Sequence, residues 1–380
     1  MHRADVARRA APGRMMSPRP IRVLCVVPRG ITGRGGIETL FAHVDEQLRS
    51  GPDTGLEMVF MDSRGGASRA GWIFYFPFAL AHYVWLLASR RYDIVHLNTT
   101  TNASAWRKWL LQSIAGLAGV KTVVHFHSSF LPKPGEPRGV WVSVLRRVFE
   151  RAGAVVVLGE YWRTFVARFY DMPAERFQVV ANGVVDFAPA APQAREEGAP
   201  VRLLFAGNLT DAKGAGVLLQ SLALLPPELP KWHAVLAGAG DVAAFRDRAT
   251  ELGIAGEVEF TGWMVRDTIL PLYRQTDIVV LPSRSEGLPV CLLEGACAGA
   301  ALVSTPVGSI ADVLHDGENG LMVMPDDPDA LAHALAQLIG DAARREAFRT
   351  ASRSIYVSRF QLEAMIGALR EVYQKVLASR

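Results

Sequence analysis

Cysteine is scarce: Cys25, Cys291 and Cys297 are the only three in 380 residues. One lies in an apolar run and two lie close together after Glu286, so neither a disulfide framework nor a zinc-ligand spacing emerges. That usage suits a reducing cytoplasm. A dominant charge is missing as well. Lys and Arg number 41 against 37 Asp and Glu, a formal net charge of +4, and the cations are scattered rather than massed on one element. Nucleic acid is thereby excluded as the main partner, while a mild attraction to anionic lipid or phosphorylated substrates stays open. Residues 1–19 hold several arginines but lack the apolar core and small-residue cleavage site of a secretory signal. They read as a disordered extension, with Met15 or Met16 as candidate starts. No uninterrupted membrane-length run stands out either. The richest apolar stretch, 71–91, is broken by Pro77 and His82 and is not expected to cross a bilayer, which takes about 20 predominantly apolar residues.

What the chain does have is alternation. Short apolar runs at 21–27, 56–61, 93–97, 121–126, 154–158 and 177–180 read as strands separated by helical stretches, and a second series follows at 201–206, 232–236, 258–260, 278–281, 301–304 and 321–323. Near-continuous apolar strands suit parallel sheets covered on both faces. Between the series, 188–200 is rich in Ala and Pro and has no amphipathic period, which makes it the linker. The expected architecture is α/β: a first doubly wound domain over 20–187, a second over 201–357 and a terminal helical segment over 358–380. Leu362, Met365, Ile366, Leu369, Val372, Tyr373 and Val376 recur in that segment at helical spacing. Ligands of such sheets lie outside the carboxyl ends of the strands.

The most informative segment runs from Pro282 to Glu294. The strand at 278–281 leads into a turn carrying Glu286 and Gly287, and Pro289 sits where a first helical residue would. Glu294 falls about a turn and a half into that helix. Two carboxylates then flank the backbone donors of a helix start. This arrangement suits a nucleotide sugar, whose sugar and ribose hydroxyls need carboxylates and whose phosphates favour N–H groups and the positive helix end.

Together with Ala298 to Thr305 and Asp316-Gly317-Glu318-Asn319-Gly320-Leu321, this segment resembles the Glu-x7-Glu signature of retaining glycosyltransferases of the family 4 type, of the kind found in bacterial polysaccharide and glycolipid synthesis. The resemblance covers about 21–340. It implies the GT-B fold, two Rossmann-like domains facing across a cleft, with a terminal helix that crosses back onto the first domain.

It also implies roles. Glu286 orients sugar hydroxyls, Gly287 and Leu288 present N–H groups, and Glu294 holds ribose. Gly207-Asn208-Leu209 with Lys213-Gly214 matches the diphosphate-gripping segment, Lys213 stabilising the departing diphosphate. The family usually has Arg where Asn208 stands. Asn cannot donate a bidentate charged fork, so either a neighbour such as Arg284 or Arg34 compensates or diphosphate binding is weaker. In the first domain, Gly35-Gly36-Ile37-Glu38 looks like the loop that meets donor and acceptor, its glycines allowing close backbone approach. His127, just past the strand at 121–126, is the sugar-contacting histidine, a neutral imidazole donating to a hydroxyl, with His96 and Asn98 as secondary cleft candidates. Gly238 belongs to a Gly-Ala-Gly-Asp turn that the family places near the nucleotide base. Asn182-Gly183 matches a domain-crossing turn and carries a left-handed turn signal. Asp327-Pro328-Asp329 imitates a metal motif but reads better as an N-cap, so no metal or other cofactor is expected.

The resulting expectation is a cytoplasmic hexosyltransferase moving sugar from a nucleotide-diphosphate donor to a glycan or lipid-linked glycan, with contact at the inner face of the cytoplasmic membrane left open. Two other classes stay open: a sugar-nucleotide epimerase of the same architecture, and a non-catalytic sugar-nucleotide-binding assembly protein. Residues 71–91 also keep two readings, a plain core helix or a helix whose second face touches the headgroup region.

Overall fold

The computed structural model describes residues 19–33, 35–52, 54–65, 71–89, 91–127, 139–188 and 198–379. The expected extension before residue 19, most of the linker and Arg34 lie outside them. Among the described residues the strands form two six-stranded, all-parallel sheets. The first contains β1 (Ile21–Val27), β2 (Leu56–Asp62), β3 (Ile94–Thr99), β4 (Lys121–Phe126), β5 (Ala154–Val157) and β6 (Phe177–Val179), in the order β2-β1-β3-β4-β5-β6. The second contains β7 (Val201–Ala206), β8 (Trp232–Ala237), β9 (Val258–Gly262), β10 (Ile278–Leu281), β11 (Ala301–Ser304) and β12 (Gly320–Met322), in the order β12-β11-β10-β7-β8-β9. The strand bounds expected from the apolar runs agree to within two residues. Central strands such as β3, β10 and β11 are buried along their whole length, as continuous apolar runs require.

Helices connect the strands. In the first half these are α1 (Gly36–Ser50), α2 (Trp72–Ser89), α3 (Ala103–Leu117), α4 (Val140–Arg151) and α5 (Glu160–Tyr170). In the second half they are α6 (Ala215–Ala223), α7 (Val242–Glu251), α8 (Arg266–Gln275), α9 (Val290–Cys297), α10 (Pro328–Gly340), α11 (Ala342–Arg359) and α12 (Leu362–Ala378). Short polar side chains fix several starts: Asp241, Asp327 and Asp341 each accept a backbone N–H three residues on. Asp327 is thus the N-cap of α10.

Each sheet reverses its winding once, between β1 and β3 in the first and between β7 and β10 in the second. Loops leaving neighbouring strands diverge at such a point and open a crevice. One apolar cluster joins β1, β3 and β4 to α1 and α12, burying Phe41, Leu369 and Tyr373. Helix α12 therefore completes the first domain although it follows the second. Its entry is fixed by backbone bonds from Val184 to Phe360 and from Leu362 to Val184, both 3.0 Å. Gly183 is needed here for proximity: a Cβ on it would stand 2.7 Å from the Gln361 carbonyl oxygen. Neither it nor Asn182 has positive φ, so the left-handed turn expected from Asn-Gly does not form. The Asn182 amide donates instead to the Leu288 carbonyl at 2.9 Å, across the domain boundary.

Candidate functional site

The switch point of the second sheet brings Lys213 and Glu286 together. Lys213 closes a short turn after β7, and Glu286 stands on the loop after β10, 73 positions away. The lysine ammonium donates to both carboxylate oxygens of Glu286, at 2.7 and 2.8 Å, and the Ser283 hydroxyl donates to one of them at 2.6 Å. Glu286 is 5% exposed, so its carboxylate is held in a fixed orientation by two donors at the floor of the cleft. The loop is backed by Gly308, with φ +57; a Cβ there would lie 2.0 Å from the Glu286 carbonyl oxygen. The first domain supports it as well, since the Trp162 indole donates to the Gly287 carbonyl at 3.2 Å. No described residue accepts from the N–H groups of Gly287 or Leu288, which are the donors a phosphate would meet. Pro289 is the N-cap of α9 rather than its first residue, its extended ψ of 123° being outside the helical range.

Glu294 projects from the middle of α9 into the same cleft. Burial pushes its carboxyl up to about 7, partly offset by the Tyr273 phenol and the Arg266 guanidinium. The Tyr273 oxygen lies close enough to favour the ionised form without making a hydrogen bond of ordinary geometry. Arg266 also reaches Glu46 of the first domain at 3.2 Å. Asn208 is exposed at the lip of the cleft, and Gly238 lines it. Arg284 does not stand in for a missing arginine at Asn208: it is held by both oxygens of Asp326, at 2.7 and 2.9 Å, and does not line the cavity.

The opposing wall belongs to the first sheet. Asn98, fully buried at the end of β3, donates to the Val26 carbonyl at 3.2 Å, which leaves its own oxygen facing His127 Nε2 at 2.8 Å. The His127 proton therefore sits on Nε2, and Nδ1 is the nitrogen left to receive a hydrogen bond. This reverses the expected direction: His127 accepts from a hydroxyl rather than donating to one. Desolvation, then the neighbouring His96, drives its pKa down to about 3, so the ring stays neutral at working pH. Behind it, His125 and His96 are wholly buried. His96 is a core residue bonded to the Tyr373 hydroxyl of α12 at 2.7 Å, and it does not line the cleft. Asn98 acts on His127 and not on the cavity.

Gly35 and Gly36 do line it, at the start of α1. Glu38 in the first turn is buried and folds back against Gly35, where an added Cβ would lie 2.2 Å from its Oε2. The positive end of α1 is thus already met by a carboxylate. Beneath this loop the Lys108 ammonium donates to Ser63 at 2.9 Å. Burial, and then Arg107, lower Lys108 to about 7.

These groups surround one cavity of about 850 Å³ between the domains, lined by His127, Gly35, Gly36, Asn208, Lys213, Gly238, Glu286, Gly287, Leu288 and Glu294. That size fits a nucleotide-sized ligand. The motif residues named from the sequence converge on it from both halves of the chain. Ser283, Tyr273 and Arg266 were not legible as parts of the site, and Asn98, expected in the cleft, stands behind His127 instead. Ser283 stands three residues before Glu286, close enough to be suspected. Arg266 and Tyr273 carry no local signal, because they come in on α8 from elsewhere in the sequence.

Both halves of the chain match known protein families. A family model described as Glycosyltransferase Family 4 matches residues 47–186, and one described as Glycosyl transferases group 1 matches residues 200–341. An uncharacterized glycosyltransferase of Methanocaldococcus jannaschii is 28% identical over 206 residues, 50% of this chain and 52% of that protein. A D-inositol 3-phosphate glycosyltransferase of Corynebacterium urealyticum is 26% identical over 308 residues, 75% of this chain and 72% of its own. Among solved structures, the Anabaena protein HepE in complex with UDP and glucose superposes with a TM-score of 0.72 at 17% identity, covering 92% of this chain and 98% of that one. At that identity the likeness speaks to the fold.

Proposed function

Because this chain is a glycosyltransferase of the GT-B fold, we propose that it transfers a hexose from a nucleotide-diphosphate sugar to a glycan or lipid-linked glycan, with retention at the anomeric carbon. The observation that carries the reading is the Lys213–Glu286–Ser283 constellation beside the two N–H groups of Gly287 and Leu288. Lys213 and those N–H groups face the leaving diphosphate, where negative charge grows as the bond to the sugar breaks. Glu286 accepts from sugar hydroxyls, and Glu294 accepts from ribose. His127 closes the far side of the sugar through Nδ1.

In the transfer step the bond from the anomeric carbon to the diphosphate oxygen breaks, and a new bond forms to the acceptor oxygen on the same face. The acceptor's proton passes to the departing phosphate oxygen. No enzyme nucleophile is required, and the reaction proceeds without a metal. The UDP bound by the Anabaena protein makes UDP-sugars the first donors to try.

Screening UDP- and GDP-sugars by thermal shift identifies the donor, since a ligand at about 100 times its Kd stabilises by roughly 2.7 kcal/mol. Transfer is then assayed with the identified donor in excess chelator, and the product anomer is read by NMR. An inverted anomer, or activity that chelator abolishes and magnesium or manganese restores, overturns the corresponding part of the proposal. A binding-only protein is a second reading, favoured by Asn208 in place of a charged fork and by Arg284 being held elsewhere. Donor binding with neither transfer nor hydrolysis decides for it.

A further inference from the structure

Helices α2, α3 and α4 form one layer over the first sheet, on the face opposite α1 and α12. Helix α2 buries Ala79, Tyr83 and Leu86 against this layer and leaves its other side bare. Phe74 is 78% exposed, Phe78 76% and Trp85 57%. Ile73 and Val84 on the same helix are exposed as well, and so is Trp106 on α3. At about 1.5 Å per residue this strip, from Ile73 to Trp85, runs roughly 18 Å. Single exposed apolar residues need no explanation, but a contiguous aromatic strip on one helix does.

The charges around the strip say what covers it. Helix α2 contains no Asp, Glu, Lys or Arg, and α3 contains no acid. The one acid of α4, Glu150, is paired with Arg146 at 2.8 Å. Arg91 after α2, and Arg147 and Arg151 on α4, are exposed, and no described carboxylate pairs with them. A layer of aromatic and aliphatic side chains with unpaired arginines and no unpaired acid complements an anionic, amphipathic surface. Among the described residues no helix is long and apolar enough to cross a membrane, which leaves contact in the plane of the interface.

We propose that the α2 face docks the protein on a bilayer containing acidic phospholipid, with Phe74, Phe78 and Trp85 entering the headgroup boundary and Arg91, Arg147 and Arg151 meeting lipid phosphates. The transferase reading supplies a reason for such docking, access to a lipid-linked acceptor, but the docking itself is tested without donor or acceptor.

Co-sedimentation of the full chain with phosphatidylcholine vesicles, with and without phosphatidylglycerol, is the direct measurement. Binding is expected only when phosphatidylglycerol is present, and it should weaken as salt is raised. The double variant Phe74→Glu/Phe78→Glu should remain in the supernatant with unchanged circular dichroism and nucleotide diphosphate affinity. Single Arg91→Gln or Arg147→Gln variants, which leave the apolar strip intact, should bind anionic vesicles about fivefold more weakly each, the equivalent of about 1 kcal/mol per cation. Wild-type protein that ignores anionic vesicles overturns the proposal. So does a concentration-dependent dimer in analytical ultracentrifugation that Phe78→Glu dissociates, since a second copy then covers the face. Loss of donor binding with vesicle binding intact would strike the transferase reading alone.

Discussion

The two walls of the cleft solve the same problem, fixing a side chain just past the carboxyl end of a strand, with opposite electrostatics. On the second domain the key groups are an ammonium and a carboxylate held against each other, Lys213 and Glu286. On the first domain they are uncharged: His127 is oriented by a buried amide and kept neutral by desolvation. The start of α1, which lines the cleft there, is met by Glu38. Diphosphate charge therefore has one place to go. The first domain contributes shape and hydrogen-bond acceptors where a sugar and an incoming hydroxyl would lie. A site divided in this way takes its charged and its neutral contacts from different domains, which meet through Asn182–Leu288, Trp162–Gly287 and Arg266–Glu46.

Removing the charged pair should break the contrast most severely. Glu286→Gln or Lys213→Met is expected to lower turnover by about 100-fold or more, the usual cost of a lost transition-state contact, in protein that still folds. The double variant should be far less than multiplicatively worse, because the two residues act as a unit. Near wild-type turnover in either single variant would remove the pair from the mechanism.

A second test uses acidity. With its carboxyl raised to about 7, Glu294 ionises as pH climbs from 6 to 8, so affinity for nucleotide diphosphate should rise by up to about tenfold per unit below that pKa. Glu294→Gln should flatten the part of the profile left after correcting for titration of the free nucleotide. Stability moves the other way. A carboxyl whose folded pKa lies above its ordinary 4.5 contributes its full stability below that value and loses it as pH rises through about 7. The ligand-free wild type should therefore lose Tm between pH 5 and 8, and Glu294→Gln should lose less. A pH-independent difference between the two proteins would contradict the assignment.

On the neutral wall, Asn98→Leu removes the acceptor that sets the His127 tautomer. Turnover should fall by about three- to tenfold, the cost of one hydrogen bond, while binding of free nucleotide diphosphate stays unchanged. The smallest effect is expected from Asn208→Arg. It restores a cation at the lip of the cleft and should tighten diphosphate binding a few-fold, within the range of one charge-assisted hydrogen bond at an exposed site. A loss of affinity instead would mean that the loop geometry is built around Asn.

Much of this was legible in the chain because the signals are local. Continuous apolar runs gave the strands, since a strand buried on both faces has no room for polar residues. Glu286, Gly287 and Glu294 fall within nine residues of one another, and their spacing along a turn and a helix is readable without the fold. What was not legible depends on side chains meeting across long sequence separations. The His127 tautomer is decided by Asn98 and, behind it, by a carbonyl of β1. Arg284 could be nominated as a compensating cation only because its pairing with Asp326, 42 positions on, is invisible in the sequence. Gly183 is a related case. Asn-Gly signals a left-handed turn wherever it occurs, yet here the glycine makes room for a backbone segment 178 residues later.

The return of α12 has a bearing on how the chain is made. Leu362, Met365, Leu369, Tyr373 and Val376 are part of the apolar layer beneath β1, β3 and β4, and the Tyr373 hydroxyl bonds Nδ1 of the buried His96. A nascent chain released up to the linker holds all six strands of its first sheet but not the side chains that seal one face. The second domain, contiguous up to α11, has no such debt and can consolidate while its predecessor waits. A stop codon ahead of residue 362 would therefore strand the earlier half with an open hydrophobic face while leaving the later half nearly whole.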